Sequence, residues 1–175
     1  GGYTSIPTLI AAKILNKKII IHEQNAVMGK TNRILSKIAD IVAVTFPRTK
    51  FAPKNAVYTG IPLRKKKKIS NFKTKKKRIF IVGGSQGAKI FSKIIPELLK
   101  NFDKSLLKKL IIVQQAREDD LEEIKKTYQS LKVEHKIENF FYDIYEQYHN
   151  ADLVICRCGA STLAEIETFS KPCLL

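Results

Sequence analysis

Short apolar runs alternate with amphipathic stretches along most of the chain. "KKIIIHEQN" (17–25) and "DIVAVT" (40–45) are apolar and β-branched, the signature of short buried strands. Between them "GKTNRILSKIA" (29–39) spaces Ile34, Leu35 and Ile38 as a helix does, and residues 7–16 form another predicted helix with Pro7 in its first turn. Further on, "RIFIV" (78–82) reads as a strand. Phe91, Ile94, Ile95, Leu98 and Leu99 then recur at the spacing of one helical face, with a kink predicted at Pro96. "LIIVQQ" (110–115) is a strand, and 119–131 is a polar helix carrying Leu121, Ile124, Tyr128 and Leu131. "YEQYHNAD" is a short helix, "DLVIC" (152–156) a strand, 161–169 a helix, and a last strand begins at the end of the chain. Strands alternating with helices predict α/β architecture with parallel sheets.

Composition divides this pattern in two. The net charge is +16, but residues 64–78, "RKKKKISNFKTKKKR", hold ten Lys/Arg and no acid, leaving +6 for the remainder. A basic run in a linker-like position differs from a basic face. Its single aromatic, Phe72, offers little for stacking single-stranded nucleic acid, so a solvated surface loop is favoured over a nucleic-acid-binding module. The run also marks a boundary, with two predicted strands before it and at least three after. The organisation is therefore 1–62, a basic linker 63–78, and 79–175. The chain opens on Gly1-Gly2 and closes on Pro172-Cys173-Leu174-Leu175, which has the character of a strand, so both α/β domains read as truncated.

Apolar content of 44% supports a packed core. No apolar run approaches the roughly 18 residues of a membrane span, and no signal peptide is visible. Three cysteines do not suggest a disulfide framework, and Cys156-Arg157-Cys158 lacks the second ligand pair of a zinc site.

The stretch "VGGSQGAK" (82–89) admits two chemistries. Gly83-Gly84-Ser85-Gln86-Gly87 fits G-x-S-x-G, the nucleophile elbow of serine hydrolases. Asp119, Asp120 or Asp143 followed by His149 would supply the required order of acid and base, yet His149 sits in a predicted helix rather than in a loop at a sheet edge. A dinucleotide fingerprint fails too, because it needs a glycine at 85 and an acid after the next strand, where Gln114-Gln115 stand. The alternative is a glycine-rich loop feeding a helix N-terminus, which holds phosphate. "CRCGASTLAE" (156–165) repeats that design: strand, glycine turn, helix start. In a parallel sheet both turns emerge at the carboxyl edge, where ligands bind, and two converging helix N-termini suit a diphosphate. Thr162-Leu163-Ala164-Glu165 also reads as a capping box with Thr162 as the cap. Glu165 would otherwise suit the paired hydroxyls of a ribose.

"GGYTSIP" (1–7), "HEQNAVMGKTN" (22–32), "TGIPLR" (59–64), "GGSQGA" (83–88) and "CRCGASTLAEI" (156–166) occur in an order and at spacings that resemble the MurG family of bacterial cell-wall glycosyltransferases. The resemblance covers essentially the whole chain. It implies a GT-B fold of two Rossmann-like parallel-sheet domains facing across a cleft, with the donor nucleotide on the C-terminal one. The implied activity is inverting transfer of N-acetylglucosamine from UDP-N-acetylglucosamine to the undecaprenyl-pyrophosphoryl-MurNAc-pentapeptide, lipid I, giving lipid II for peptidoglycan. An alternative is a related GT-B transferase using another UDP-sugar or a diacylglycerol acceptor.

Carried onto matching positions, Ser85 and Arg64 would contact the diphosphate, with Gly83, Gly84, Gln86 and Gly87 forming the phosphate loop. Glu165 would hold the ribose hydroxyls, Ala160, Ser161, Thr162, Leu163 and Ala164 would line the nucleotide, Phe141 would offer backbone groups to the uracil, and Asn25 would reach the sugar. His22 and Glu23 resemble an acid–base pair, in a stretch that mainly shapes the cleft in the family. Ile61-Pro62 departs from the family's Asn-Pro at that turn, while Arg64 remains. The resemblance places the catalytic base upstream of Gly1 and a sugar-contacting glutamine beyond Leu175, so residues 1–175 alone are expected not to turn over. No D-x-D cluster is present, and no metal or other cofactor is expected. The implied location is peripheral, on the cytoplasmic face of the bacterial inner membrane, with a UDP-sugar donor and a lipid-linked acceptor as partners and no nucleic acid.

Overall fold

The computed structural model describes residues 2–63, 69, 72, 74–84 and 88–175. The chain divides into two compact units, Gly1–Leu63 and Arg64–Leu175.

In the first unit, α1 (Ser5–Ile14) leads into β1 (Ile20–Glu23), α2 (Lys30–Leu35), β2 (Ile41–Val44) and a two-residue β3 (Val57–Tyr58). The strands form a parallel sheet in the order β1-β2-β3. Ile19, Ile21 and Leu35 pack with Ile6, Leu9 and Ile38 as its small core. α1 lies two residues earlier than its apolar pattern predicts. Its end is fixed by backbone geometry: Asn16 adopts a left-handed φ of 48°, and the Lys17 and Asn16 amides donate to the carbonyls of Ala12 and Lys13. That is a Schellman closure, which asparagine tolerates better than most residues.

The second unit runs β4 (Lys77–Val82), α3 (Lys89–Lys100), α4 (Lys104–Leu107), β5 (Leu110–Gln115), a 3-10 turn at Glu118–Asp120, α5 (Leu121–Ser130), β6 (Glu134–Glu138), α6 (Ile144–Asn150), β7 (Leu153–Cys156), α7 (Ala160–Phe169) and β8 (Cys173–Leu174). All five strands are parallel, in the order β6-β5-β4-β7-β8. The chain winds outward from β4 to β6, then returns to place β7 on the other side of β4. The β4/β7 boundary is therefore the point where strand order reverses, the usual ligand crevice of such sheets.

Alternation along β4 feeds two cores. Ile81 joins Ile95, Leu99, Leu107, Ile124 and Tyr128 beneath α3, α4 and α5. Phe80 and Val82 join Val113, Phe141, Tyr148, Val154 and Ile166 beneath α6 and α7. β5 is buried along its whole length, as a central parallel strand should be.

Two expectations change here. The buried face of α3 is Ile95, Pro96 and Leu99, with the helix running unbroken through Pro96, whereas Ile94 and Leu98 are about half exposed, at 50% and 46%. β3 and β6 lie outside the predicted set. β6 carries Glu134, His135, Lys136 and Glu138 around one buried residue, Ile137, because it is an edge strand with one side in water. Among the described residues no helix is long and apolar enough to cross a membrane.

Candidate functional site

The turn after β4 is built on two glycines with different reasons to be there. A Cβ on Gly83 would stand 2.0 Å from the Ala88 amide nitrogen, so only a hydrogen fits against the start of α3. Gly84 adopts φ +86°, a conformation that L side chains resist. Ala88 is the cap residue of α3 and makes no side-chain cap bond. Ser85, Gln86 and Gly87, named by sequence as the rest of the phosphate loop, lie outside the described residues, as does Arg64.

The turn after β7 is described throughout. The Gly159 amide donates to the Arg157 carbonyl at 2.7 Å, and Gly159 itself caps α7 without a side-chain cap bond. This corrects the capping-box reading: Thr162 is the third residue inside the helix, not its cap. Glu165 lines a cleft together with Tyr148 of α6. Burial pushes the Tyr148 phenol well above its ordinary pKa, the nearby Glu165 charge adds to the rise, and the phenol oxygen is buried without a hydrogen-bond partner among the described residues.

These turns share a cleft of about 240 Å³ at the carboxyl end of the sheet. Five of the residues singled out by sequence line it together: Gly84 from the β4 turn, Phe141 ahead of α6, and Ser161, Thr162 and Glu165 from α7. Ala160, Leu163 and Ala164 lie partly buried in the first turns of α7 without lining the cleft. Phe141 is 3% exposed, its ring edge-on to Phe80 at 5.6 Å, so its side chain belongs to the core and only one surface reaches the cleft. The uncapped start of α7 faces the cleft through Ser161 and Thr162, giving it amide donors and the positive end of a helix dipole.

Five lining residues escaped sequence reading: Val82, Gln115, Phe140, Ile144 and Tyr148. Gln115 carries a signal, since it is the last residue of a central parallel strand and such positions face the crevice. Its Nε2 donates to the Asn139 carbonyl at 3.1 Å, tying the β5 end to the segment that carries Phe140 and Phe141. Tyr148 carries no such signal, because a buried aromatic at helical spacing looks like any core residue.

Asn25 belongs to the other unit, on the loop that follows β1. That loop is organised by Glu23, which is 2% exposed. Glu23 Oε1 accepts from the Asn25 amide and Asn25 Nδ2, both at 3.0 Å, and Oε2 accepts from the Gly29 amide at 3.0 Å and Asn32 Nδ2 at 2.8 Å. Burial opposes its charge, but these four bonds outweigh burial and hold its pKa below the ordinary value. Glu23 is a structural anion that shapes the loop. His22 Nε2 lies 2.9 Å from the Gly60 carbonyl. A carbonyl only accepts, so this nitrogen carries the proton.

The hydrolase alternative rests on Ser85, which lies outside the described residues. Asp143 accepts from Gln147 Nε2 at 2.7 Å, and His149 packs its ring toward Phe169. Burial pushes the Cys156 thiol up to about 11, and no group of three or more His, Cys, Asp or Glu among the described residues is arranged to hold a metal. The described end of the basic run is partly neutralised: Lys76 pairs with Glu134 at 2.6 Å, Lys77 with Asp152 at 3.1 Å, and the Arg78 guanidinium lies over the Phe72 ring.

Residues 78–175 match the glycosyltransferase family 28 C-terminal domain, and residues 1–44 match the glycosyltransferase family 28 N-terminal domain. The chain is 41% identical over 186 residues to the UDP-N-acetylglucosamine–N-acetylmuramyl-(pentapeptide) pyrophosphoryl-undecaprenol N-acetylglucosamine transferase of Rickettsia bellii, covering 99% of this chain and 52% of that protein. The enzyme of the same name from Paramagnetospirillum magneticum is 36% identical, with coverage of 100% and 50%. The crystal structure of MurG from Acinetobacter baumannii superposes with a TM-score of 0.68 at 36% identity, covering 96% of this chain and 48% of that one. The spinosyn rhamnosyltransferase SpnG shares the fold at 12% identity and a TM-score of 0.52, over 95% of this chain and 50% of its own. The chain spans about half the length of the curated relatives it matches.

Proposed function

Because the chain belongs to glycosyltransferase family 28 and has the GT-B type of fold, we propose that it is the donor-binding part of an enzyme that transfers N-acetylglucosamine from UDP-N-acetylglucosamine to lipid I, forming lipid II. The observation that carries this reading is the single cleft at the β4/β7 reversal, lined by the glycine turn, the start of α7, Glu165 and Phe141. Each part has a physical task. Amides of the β4 turn and of the first turn of α7, with Ser85 and Arg64, hold the diphosphate. Helix dipoles and the guanidinium offset the charge that builds on the leaving UDP. Glu165 accepts from both ribose hydroxyls. Backbone groups at Phe141 read the uracil edge.

The reaction is displacement at the anomeric carbon with inversion. A base removes the proton of the acceptor hydroxyl while UDP departs, and none of residues 1–175 is assigned that base. The diphosphate site as proposed requires no metal. The acceptor named for the relatives is undecaprenol-linked, which supports peripheral attachment at the cytoplasmic face of the bacterial inner membrane.

The test is calorimetric titration with UDP-N-acetylglucosamine, UDP-glucose and UDP-galactose. The first is expected to bind, and Glu165→Ala to weaken it by about tenfold or more, the value of one to two charge-assisted hydrogen bonds. Saturable binding unaffected by Glu165→Ala would overturn the assignment of the ribose site.

A further inference from the structure

Gln115 is the last residue of β5, and it lines the cleft although it is only 4% exposed. Burying an amide side chain costs free energy unless it is paired, and this one is paired outside its own strand. The ladder between β5 and β6 ends at the register of Gln115 with Glu138, where the Ala116 amide donates to the Glu138 carbonyl at 3.0 Å. Beyond that point the chain turns away into the 3-10 turn at Glu118–Asp120, and among the described residues no further backbone amide from this side reaches the segment after β6. The Gln115 side chain takes over: its Nε2 donates to the Asn139 carbonyl at 3.1 Å. A carbonyl only accepts, so this bond fixes which way the amide faces. Two residues on, the Phe141 ring is held in the core, edge-on to Phe80. The peptides between are therefore fixed at both ends. The Phe141 amide itself has no hydrogen-bond partner among the described residues. A backbone donor left open in so buried a residue is rare, and this one belongs to a residue that lines the cleft.

We propose that Gln115 is a positioning residue: by holding Asn139 it fixes the Phe141 amide against the base, and so sets the preference for uracil over cytosine in the donor nucleotide. This rests on the reading that backbone groups at Phe141 meet the base. Position 4 of the pyrimidine carries a carbonyl oxygen in uracil and an amino group in cytosine. An amide held against that position bonds the oxygen of uracil and meets a second donor in cytosine, so both donors go unpaired. The discrimination lasts only while the amide cannot move aside. A loose segment would shift away from the cytosine amino group at little cost and would hold the uracil oxygen less well. The bond from Gln115, together with the buried Phe141 ring, supplies that rigidity. A methionine at 115 would fill a similar volume and leave Asn139 untied.

Two measurements on the chain separate this proposal from the reading beneath it. Carbon NMR without ligand is expected to show the Asn139 carbonyl resonance moving upfield in Gln115→Met, as a carbonyl does on losing a donor. Failure to move overturns the tie whether or not any nucleotide binds. Calorimetric titration with UDP and CDP then tests the consequence. The parent is expected to prefer UDP, and Gln115→Met to weaken UDP about tenfold, the value of one lost hydrogen bond, while changing CDP less than about twofold. Equal weakening of both would make Gln115 a packing residue and overturn the proposal. If Gln115→Met does not fold, Gln115→Glu decides the same question, because a carboxylate of the same length cannot donate to the Asn139 carbonyl at neutral pH. It is expected to lose the preference for UDP over CDP, and retention of that preference would overturn the proposal. A parent that binds UDP and CDP equally would overturn the selectivity and leave the nucleotide site standing. A parent that binds neither would overturn the nucleotide site and the selectivity with it.

Discussion

Replacing Glu23 by glutamine removes one charge and almost no volume, so its effect isolates the hydrogen bonds. Oε1 accepts from the Asn25 amide and side chain, and Oε2 from the Gly29 amide and the Asn32 side chain. In glutamine one of these oxygens becomes an NH₂ group. The side-chain amides of Asn25 or Asn32 can flip to offer an oxygen, but the backbone amides of Asn25 and Gly29 cannot. Whichever way the glutamine turns, one part-buried bond from a backbone donor, at Asn25 or Gly29, is replaced by donor facing donor. Leaving it unsatisfied costs about 1–3 kcal/mol, and loss of charge assistance in the remaining bonds adds to this, giving about 2–4 kcal/mol for the loop.

Hydrogen exchange over residues 22–33 measures the loop directly, and protection at Gly29 is expected to fall by about 30- to 1,000-fold. The pH dependence gives a second handle. The folded-state pKa of Glu23 is depressed below 4.5, so its contribution is complete above the unfolded value and is lost as pH falls through the folded one. The parent loop should lose protection below about pH 4.5 from this source, and Glu23→Gln should remove that component. A protection change under about threefold, with the acid limb intact, would refute the view that Glu23 is the structural anion of this loop.

Gly83→Ala places a Cβ 2.0 Å from the Ala88 amide nitrogen, so the β4 turn must be rebuilt. UDP binding should be lost in calorimetry while far-UV circular dichroism stays close to that of the parent. Gly84→Ala meets no neighbour but forces an L residue to φ +86°, which should lower stability by about 1–2 kcal/mol in urea denaturation. Asp152 accepts from the Arg78 amide at 2.8 Å and from Lys77 at 3.1 Å. The first bond and then the lysine hold its pKa below 3.8 despite burial. Asp152→Asn should therefore cost about 1 kcal/mol at pH 7, a cost that shrinks as pH falls through the lowered folded-state pKa, read from urea midpoints across a series from pH 7 downward.

Much of this was legible from residue order because buried parallel strands are long apolar runs. β1, β2, β4, β5 and β7 all announce themselves that way, and the two glycine turns follow two of them. The cleft was legible because both turns leave the same edge of one sheet. The pattern concealed whatever depended on which face the fold covers. Ile94 and Leu98 share the apolar stripe of α3 yet stand half exposed, since the face that the fold covers runs through Ile95, Pro96 and Leu99. β6 hid because an edge strand needs only Ile137 to face the core. Tyr148 hid for the opposite reason. Its apolar ring satisfies every rule for a core residue, and only the placement of α6 against α7 brings it to the cleft that Glu165 also lines. Glu23 stands beside His22 in a stretch expected to shape the cleft, and its four donors make it the anion that organises the loop.

The central claim is that one crevice, at the reversal of strand order in the second unit, holds a nucleoside diphosphate. Backbone amide NMR during a UDP titration tests it most directly. The expected result is saturable shifts at Gly83, Gly84, Phe141, Ser161, Thr162 and Glu165, with a common midpoint. Saturable shifts confined to other surfaces, such as the groove between α3 and α5, with these six amides unmoved, would contradict it.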